Sequence, residues 1–212
     1  MTSHSILVLG ATGPTGRHIV TQALDQGHTV TALARRLERL DARHPRLTTV
    51  AADVAADAEA VARTLPGHDV VISALGRGQA LRSQGLMARA IPGIVTAMER
   101  LAVRRLVFLS AYGVGGTAPH APWVSRLMIR LMLADIFADK VTAEEAVQHS
   151  GLDWTILAPV MLTNGPATGR YRLGDQLEIR GLARIARADV ASAALTCIDD
   201  SSSIHKRCIV AS

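Results

Sequence analysis

Short apolar runs alternate along the chain with longer segments in which apolar positions recur every three or four residues. Ile6-Leu7-Val8-Leu9 is the first run, and Thr29–Ala34, Leu47–Ala51, Val70–Ala74, Leu106–Ser110 and Trp154–Ala158 follow it. Runs this short and this rich in Val, Ile and Leu are what strands buried on both faces require. The helical segments lie between them. Gly16–Gln26 is closed by Gly27, as a C-cap glycine closes a helix, and further helices are expected near 57–65, 86–102 and 124–149. Pro92 inside the third predicts either a kink there or a start near that residue.

Strand followed by helix, repeated, predicts a parallel sheet with helices on both faces. Right-handed crossovers then favour an α/β, Rossmann-like doubly wound sheet, whose ligand crevice lies at the carboxyl ends of the strands. The chemistry should therefore sit in turns. After Pro159 the alternation loosens: Asn164-Gly165-Pro166 and Gly169 mark turns, Tyr171–Leu173 and Leu177–Ile179 read as short strands, and Ala188–Cys197 reads as a helix. This tail is expected to form a small extension on the substrate side. No internal repeat or linker interrupts the 212 residues, so a single domain over 1–212 is expected.

Composition narrows the class. Apolar residues make up 49% and charged residues 19%, which suits a globular core. Aromatics make up only 3%, too few for a stacking platform on which nucleic-acid bases could rest. The 23 Lys and Arg against 18 Asp and Glu give a net charge of +5, which favours anionic partners without naming one. Cys197 and Cys208 are too few for a disulfide framework and lack zinc spacing, which fits a reducing compartment. The first apolar run is too short for a signal-peptide core, and no stretch reaches membrane-spanning length, so a cytoplasmic protein without stable membrane insertion is expected.

Gly10-Ala11-Thr12-Gly13-Pro14-Thr15-Gly16 follows the first strand and opens the first helix, the context in which a glycine spacing becomes a motif. Gly10 permits the tight turn, Gly13 lets backbone approach a pyrophosphate, and Gly16 allows close packing of helix on strand. Unpaired N–H groups at the helix start supply the anion site. The spacing is GxxGxxG without GK[ST], which disfavours a nucleoside-triphosphate loop; a ligand-free glycine turn is the alternative. The second strand ends Ala34-Arg35-Arg36 where an acidic residue would accept a ribose 2′-hydroxyl. Two guanidiniums there suit a 2′-phosphate, so NADP(H) is preferred, with a solvated basic helix start as the alternative. Asp53-Val54 after the third strand would border the adenine. Ala74-Leu75-Gly76 after the fourth would pass the second ribose.

These motifs, with Ser150-Gly151-Leu152-Asp153-Trp154-Thr155-Ile156-Leu157-Ala158-Pro159, Asn164–Tyr171 and Arg187-Ala188-Asp189-Val190-Ala191, resemble the atypical short-chain dehydrogenase/reductases. The likeness spans nearly the whole chain and is nearest to the NAD(P)H-binding group that includes the biliverdin-IXβ reductase/flavin reductase type. The resemblance implies that Gly10, Thr12, Gly13 and Thr15 hold pyrophosphate, with Pro14 and Gly16 in the same cofactor-binding loop, and that Arg35 with Arg36 holds the 2′-phosphate. It further implies that Asp53 and Val54 meet adenine, that Ala74, Leu75 and Gly76 line the inner ribose, and that Ser110 lies near the nicotinamide. Lys140 stands where the flavin-reductase type has a histidine; related reductases place a lysine in this region, which implies a hydrogen bond to ribose or proton donation. Pro159, Val160 and Met161 would pass the nicotinamide face.

The Tyr-x-x-x-Lys pair of the better-known relatives is missing: Tyr112 is followed four residues on by Gly116, and Tyr171 by Asp175. Hydride transfer to a small planar acceptor such as a flavin or quinone needs no such pair, because the cofactor carries the chemistry. Ser110, Tyr112 and Lys140 are the candidate catalytic residues. Each has a plainer alternative: hydrogen-bonded turn residues for the first two, and for Lys140 a surface ion pair with Glu144. The run 124–133 is apolar nearly all round and is expected to pack as core or substrate lid, with an oligomer contact or a membrane-surface contact as the alternatives and with Met128, Met132 and Met161 as a pliable roof. The eight histidines form no catalytic or metal pattern. An NADPH-dependent reductase, monomer or homodimer, is therefore expected, with a non-catalytic NADP(H)-binding redox sensor as the alternative. Nucleic-acid binding is not.

Overall fold

A computed structural model describes residues 2–76, 85–120, 134–179 and 181–212. Ten strands lie in the order β1 Ser5–Leu9, β2 Thr29–Ala34, β3 Leu47–Ala51, β4 Val70–Ser73, β5 Arg105–Leu109, β6 Asp153–Pro159, β7 Met161–Thr163, β8 Arg172–Gly174, β9 Arg184–Ala186 and β10 Lys206–Ala211. Five helices are described: α1 Pro14–Asp25, α2 Ala58–Thr64, α3 Leu86–Arg100, α4 Ala134–Gln148 and α5 Arg187–Asp199.

Eight strands form one sheet in the order β3-β2-β1-β4-β5-β6-β10-β8, parallel throughout except for β8 against β10. The chain leaves β1 toward one edge and returns at β4 toward the other, so the loops after β1 and β4 part at the carboxyl ends and leave a crevice between them. Apolar residues cover both faces, as a parallel sheet demands. Ile6, Val8, Ile72 and Val107 face α1 and α5; Leu7, Leu9, Val71 and Phe108 face α2, α3 and α4.

Helix α1 ends where the sequence places its stop: Gly27 has φ +92° and donates its N–H to Leu24 O. Pro92 lies inside α3, which begins six residues earlier, because Asp139 of α4 accepts from the N–H groups of Met87 and Ala88 and so caps the first turn from outside. One expectation needs correction in the tail. Leu177–Ile179 is not a strand but a non-repetitive segment whose Leu177 side chain lies over Gly174 of β8. The last six-residue strand, β10, was not foreseen. Of the segment expected to be helical over 124–149, only Ala134–Gln148 falls within the described residues; Met128, Met132 and the run 124–133 lie outside them.

Candidate cofactor and substrate site

The glycine loop is tight enough to exclude a side chain at Gly10 and at Gly16. Gly10 adopts φ +75°, and a Cβ there would lie 2.7 Å from Ala74 O. A Cβ on Gly16 would lie 2.2 Å from Gly10 O. The turn closes through Gly13 N–H donating to Gly10 O at 2.9 Å. Gly13 is the N-cap of α1, no side chain caps that helix, and Pro14 occupies its first position. The first N–H groups of a helix have no intrahelical partner, so this loop presents bare amide donors and the positive end of a helix dipole at the crevice. The Thr12 and Thr15 hydroxyls flank it, half-buried.

Ala34 is buried at the end of β2, and Arg35 and Arg36 extend from it into solvent. Arg35 lies 3.7 Å from Asp53, and both side chains are largely exposed, so the pair adds little stability. Asp53 also shapes its own turn, accepting from the Ala55 N–H at 3.1 Å. Val54 and Leu75 are buried, while Gly76 is open. Past β6, Pro159 and Val160 are buried and Met161 is 48% exposed. β7 then pairs with β9 beside the crevice.

Ser110 follows β5, donates its N–H to Leu157 O, and buries an Oγ that has no hydrogen-bond partner. Tyr112 donates its N–H to Pro159 O, and burial raises its phenol above the usual tyrosine range. Lys140 is half-buried on α4, and burial pulls it down to about 8 against the opposing pull of Glu144 and Asp139. A surface ion pair between Lys140 and Glu144 does not occur. Glu144 is 1% exposed and binds Arg207 of β10 instead. Asp139 is likewise buried, committed to the cap of α3.

Three features were missed in the sequence. Ser73 ends β4 fully buried with an unpartnered Oγ; its signal was a lone hydroxyl closing Val70-Val71-Ile72. The Glu144–Arg207 pair joins residues 63 positions apart and left no local signal. Asp189, in the first turn of α5, accepts from Thr168 N–H, Thr168 Oγ1 and Gly169 N–H, tying the turn after β7 to the helix. An open groove of about 530 Å³ runs along α1 beside Pro14, Arg17 and His18, with Asn164 and Arg187 on its far wall. Cys197 and Cys208 are buried, their thiols pushed up to about 12 and about 11 by burial. Among the described residues there is no cluster that would hold a metal, and no helix is long and apolar enough to cross a membrane.

Parallel strands that deliver a bare glycine loop, two arginines and buried hydroxyls to one crevice define a dinucleotide-binding protein of the Rossmann type. The chain belongs to the family described as NAD(P)H-binding, which it matches over residues 10–201. It is 30% identical over 200 residues to an uncharacterized chloroplastic protein of Arabidopsis thaliana, covering 90% of this chain and 71% of that one. Among solved structures, a short-chain dehydrogenase/reductase of Veillonella parvula in complex with NADP superposes with a TM-score of 0.82 at 20% identity, covering 100% of this chain and 95% of that one. ChuY, an anaerobillin reductase of Escherichia coli O157:H7, superposes with a TM-score of 0.80 at 22% identity, covering 97% and 96%.

Proposed function

We propose that the protein is an NADPH-dependent reductase that passes hydride to a small planar acceptor such as a flavin, a quinone or a linear tetrapyrrole. The observation that carries this reading is the loop Gly10–Gly16: its packing leaves no room for a side chain at Gly10 or Gly16, and the uncapped start of α1 leaves amide donors for a pyrophosphate. Gly10, Thr12, Gly13, Pro14, Thr15 and Gly16 would hold that pyrophosphate. Arg35 and Arg36 would hold the 2′-phosphate, Arg35 exchanging an exposed contact with Asp53 for a doubly charged one. Asp53 and Val54 would border the adenine, Ala74, Leu75 and Gly76 the inner ribose, and Pro159, Val160 and Met161 the nicotinamide.

When bound, the reduced nicotinamide supplies the hydride, and the acceptor takes up that hydride and one proton to become its two-electron reduced form. The residues of this chain do the rest. Ser110 Oγ, buried and without a partner, is free to hold a carboxamide or an acceptor oxygen at the end of β5. Lys140 is half-buried and retains a proton at neutral pH, so its ammonium is the proton source. Tyr112, with its raised phenol, is protonated at neutral pH and serves as a hydrogen-bond donor rather than a base. The likeness to an anaerobillin reductase favours a planar conjugated acceptor.

The test mixes the protein and NADPH with FMN, riboflavin, a benzoquinone and biliverdin, following nicotinamide absorbance. Turnover with at least one acceptor is expected. Tight NADPH binding with no turnover on any of them contradicts the reductase and supports an NADP(H)-binding sensor.

A further inference from the structure

Four buried side-chain polar atoms among the described residues have no partner: Ser73 Oγ, Ser110 Oγ, Glu144 Oε1 and Arg207 Nε. They share one face of the sheet. Arg207 pairs in register with Ile156, Ile156 with Phe108, and Phe108 with Ser73, so Arg207 and Ser73 end a single row across β10, β6, β5 and β4. Ser110 lies two residues beyond Phe108, hence on the same face and roughly 6.6 Å nearer the crevice.

Glu144 reaches this row from α4. Its Oε2 accepts from Arg207 Nη2 at 2.5 Å, with both side chains largely buried. The backbone of the loop that follows Ser110 closes over the pair: a Cβ on Gly115 would lie 2.4 Å from Glu144 Oε2, and one on Gly116 would lie 2.4 Å from Arg207 Nη1. Water has little access from that side. Glu144 therefore keeps one oxygen on Arg207 and one oxygen dry and unmatched, an arrangement that costs stability unless another donor arrives.

Lys140 stands one turn away, at i−4 on the same helix, and makes no ion pair with Glu144 in the structure. Because α4 connects the parallel strands β5 and β6, it runs against them, and Lys140 stands roughly 6 Å further than Glu144 toward the carboxyl ends of the strands. Among the described residues, the neighbouring groups have other commitments. Asp139 is occupied by the α3 cap, Arg207 by Glu144, and α3 turns the apolar Met87, Ile91 and Ile94 to this face.

The choice of residue is telling. The chain contains 21 arginines and two lysines, Lys140 and Lys206. Arginine stays protonated throughout the physiological range, whereas lysine can release its proton. Lys206 is an exposed residue 3.5 Å from Asp175. Lys140 sits one turn from the one described carboxylate that is buried with an oxygen to spare.

We propose that Glu144, fixed by Arg207, is a positioning residue for Lys140: its second carboxylate oxygen, unmatched in the structure, receives the Lys140 ammonium when that side chain turns toward it and keeps the group charged as the acid of the reaction. This rests on the reading of Lys140 as the proton source. The carboxylate opposes the cost of burying the ammonium, so loss of its charge makes Lys140 give up its proton at lower pH.

Two lysines make a direct test possible. In full-length protein labelled with [ε-¹³C]lysine and free of cofactor, two signals are followed by NMR as pH is raised. In the native chain Lys140 should titrate about 8, well before Lys206. In Glu144→Gln the Lys140 midpoint should fall by about one to three pH units while Lys206 stays where it was. If circular dichroism shows that variant unfolded, Arg207→Met serves instead: Glu144 then has Lys140 as its nearest cation, and the Lys140 midpoint should rise. A native Lys140 that titrates together with Lys206, or a midpoint indifferent to either substitution, overturns the proposal. Activity separates the two readings. Lack of turnover with every acceptor sinks the reductase and leaves the titration standing, whereas turnover whose alkaline limb does not follow the Lys140 midpoint sinks Glu144's role alone.

Discussion

A methyl group at position 16 would press to 2.2 Å from Gly10 O, against backbone on both sides and with no flexible side chain to yield. Gly16→Ala must therefore push α1 away from the loop and misalign the amide donors. We expect it to weaken NADPH at least tenfold, on the order of 1.4 kcal/mol or more, with a lower melting temperature. Native affinity in that variant, measured by calorimetry, would remove the loop from the site. Such residues are legible in sequence because their constraint is local: a glycine spacing between a strand and a helix states its own geometry. Glu144 is the opposite case. Within Lys140-Val141-Thr142-Ala143-Glu144 it reads as a surface charge, and only the arrival of Arg207 from the far end of the chain explains its burial.

Elements are legible where their signal is internal and obscure where a neighbour makes them. The strand β2 keeps the bounds that its apolar run predicts, because parallel pairing on both sides rewards continuous hydrophobicity, and β3, at the sheet edge, keeps its bounds by pairing in register with β2 alone. β10 opens on Lys206-Arg207 and leaves four apolar residues, too little to announce a strand until β6 and β8 pair with its two edges. Helix α5 holds the tail in place through Asp189, which is fully buried with three donors on its carboxylate. Asp189→Ala strands those donors, and we expect a loss of roughly 2–4 kcal/mol in urea denaturation. A change below about 0.5 kcal/mol would mean that the turn at Thr168 is held by other contacts.

At the scale of the molecule, seven parallel strands bring the loops after β1, β2, β3, β4 and β5 to one edge, so that residues scattered from Gly10 to Ser110 lie at the carboxyl ends of the sheet. The alternation of strand and helix made that architecture readable from the chain. No comparable local motif in the chain names an acceptor. The central claim is that this crevice grips NADP(H), with twin guanidiniums on the 2′-phosphate. Isothermal calorimetry of NADPH and NADH against the native chain and against Arg35→Ala/Arg36→Ala tests it most directly. The account predicts tighter native binding of NADPH, a loss of about 1.5–3 kcal/mol per charged contact removed, and NADH affinity nearly unchanged. No binding of NADPH, or equal losses for both dinucleotides, would contradict it.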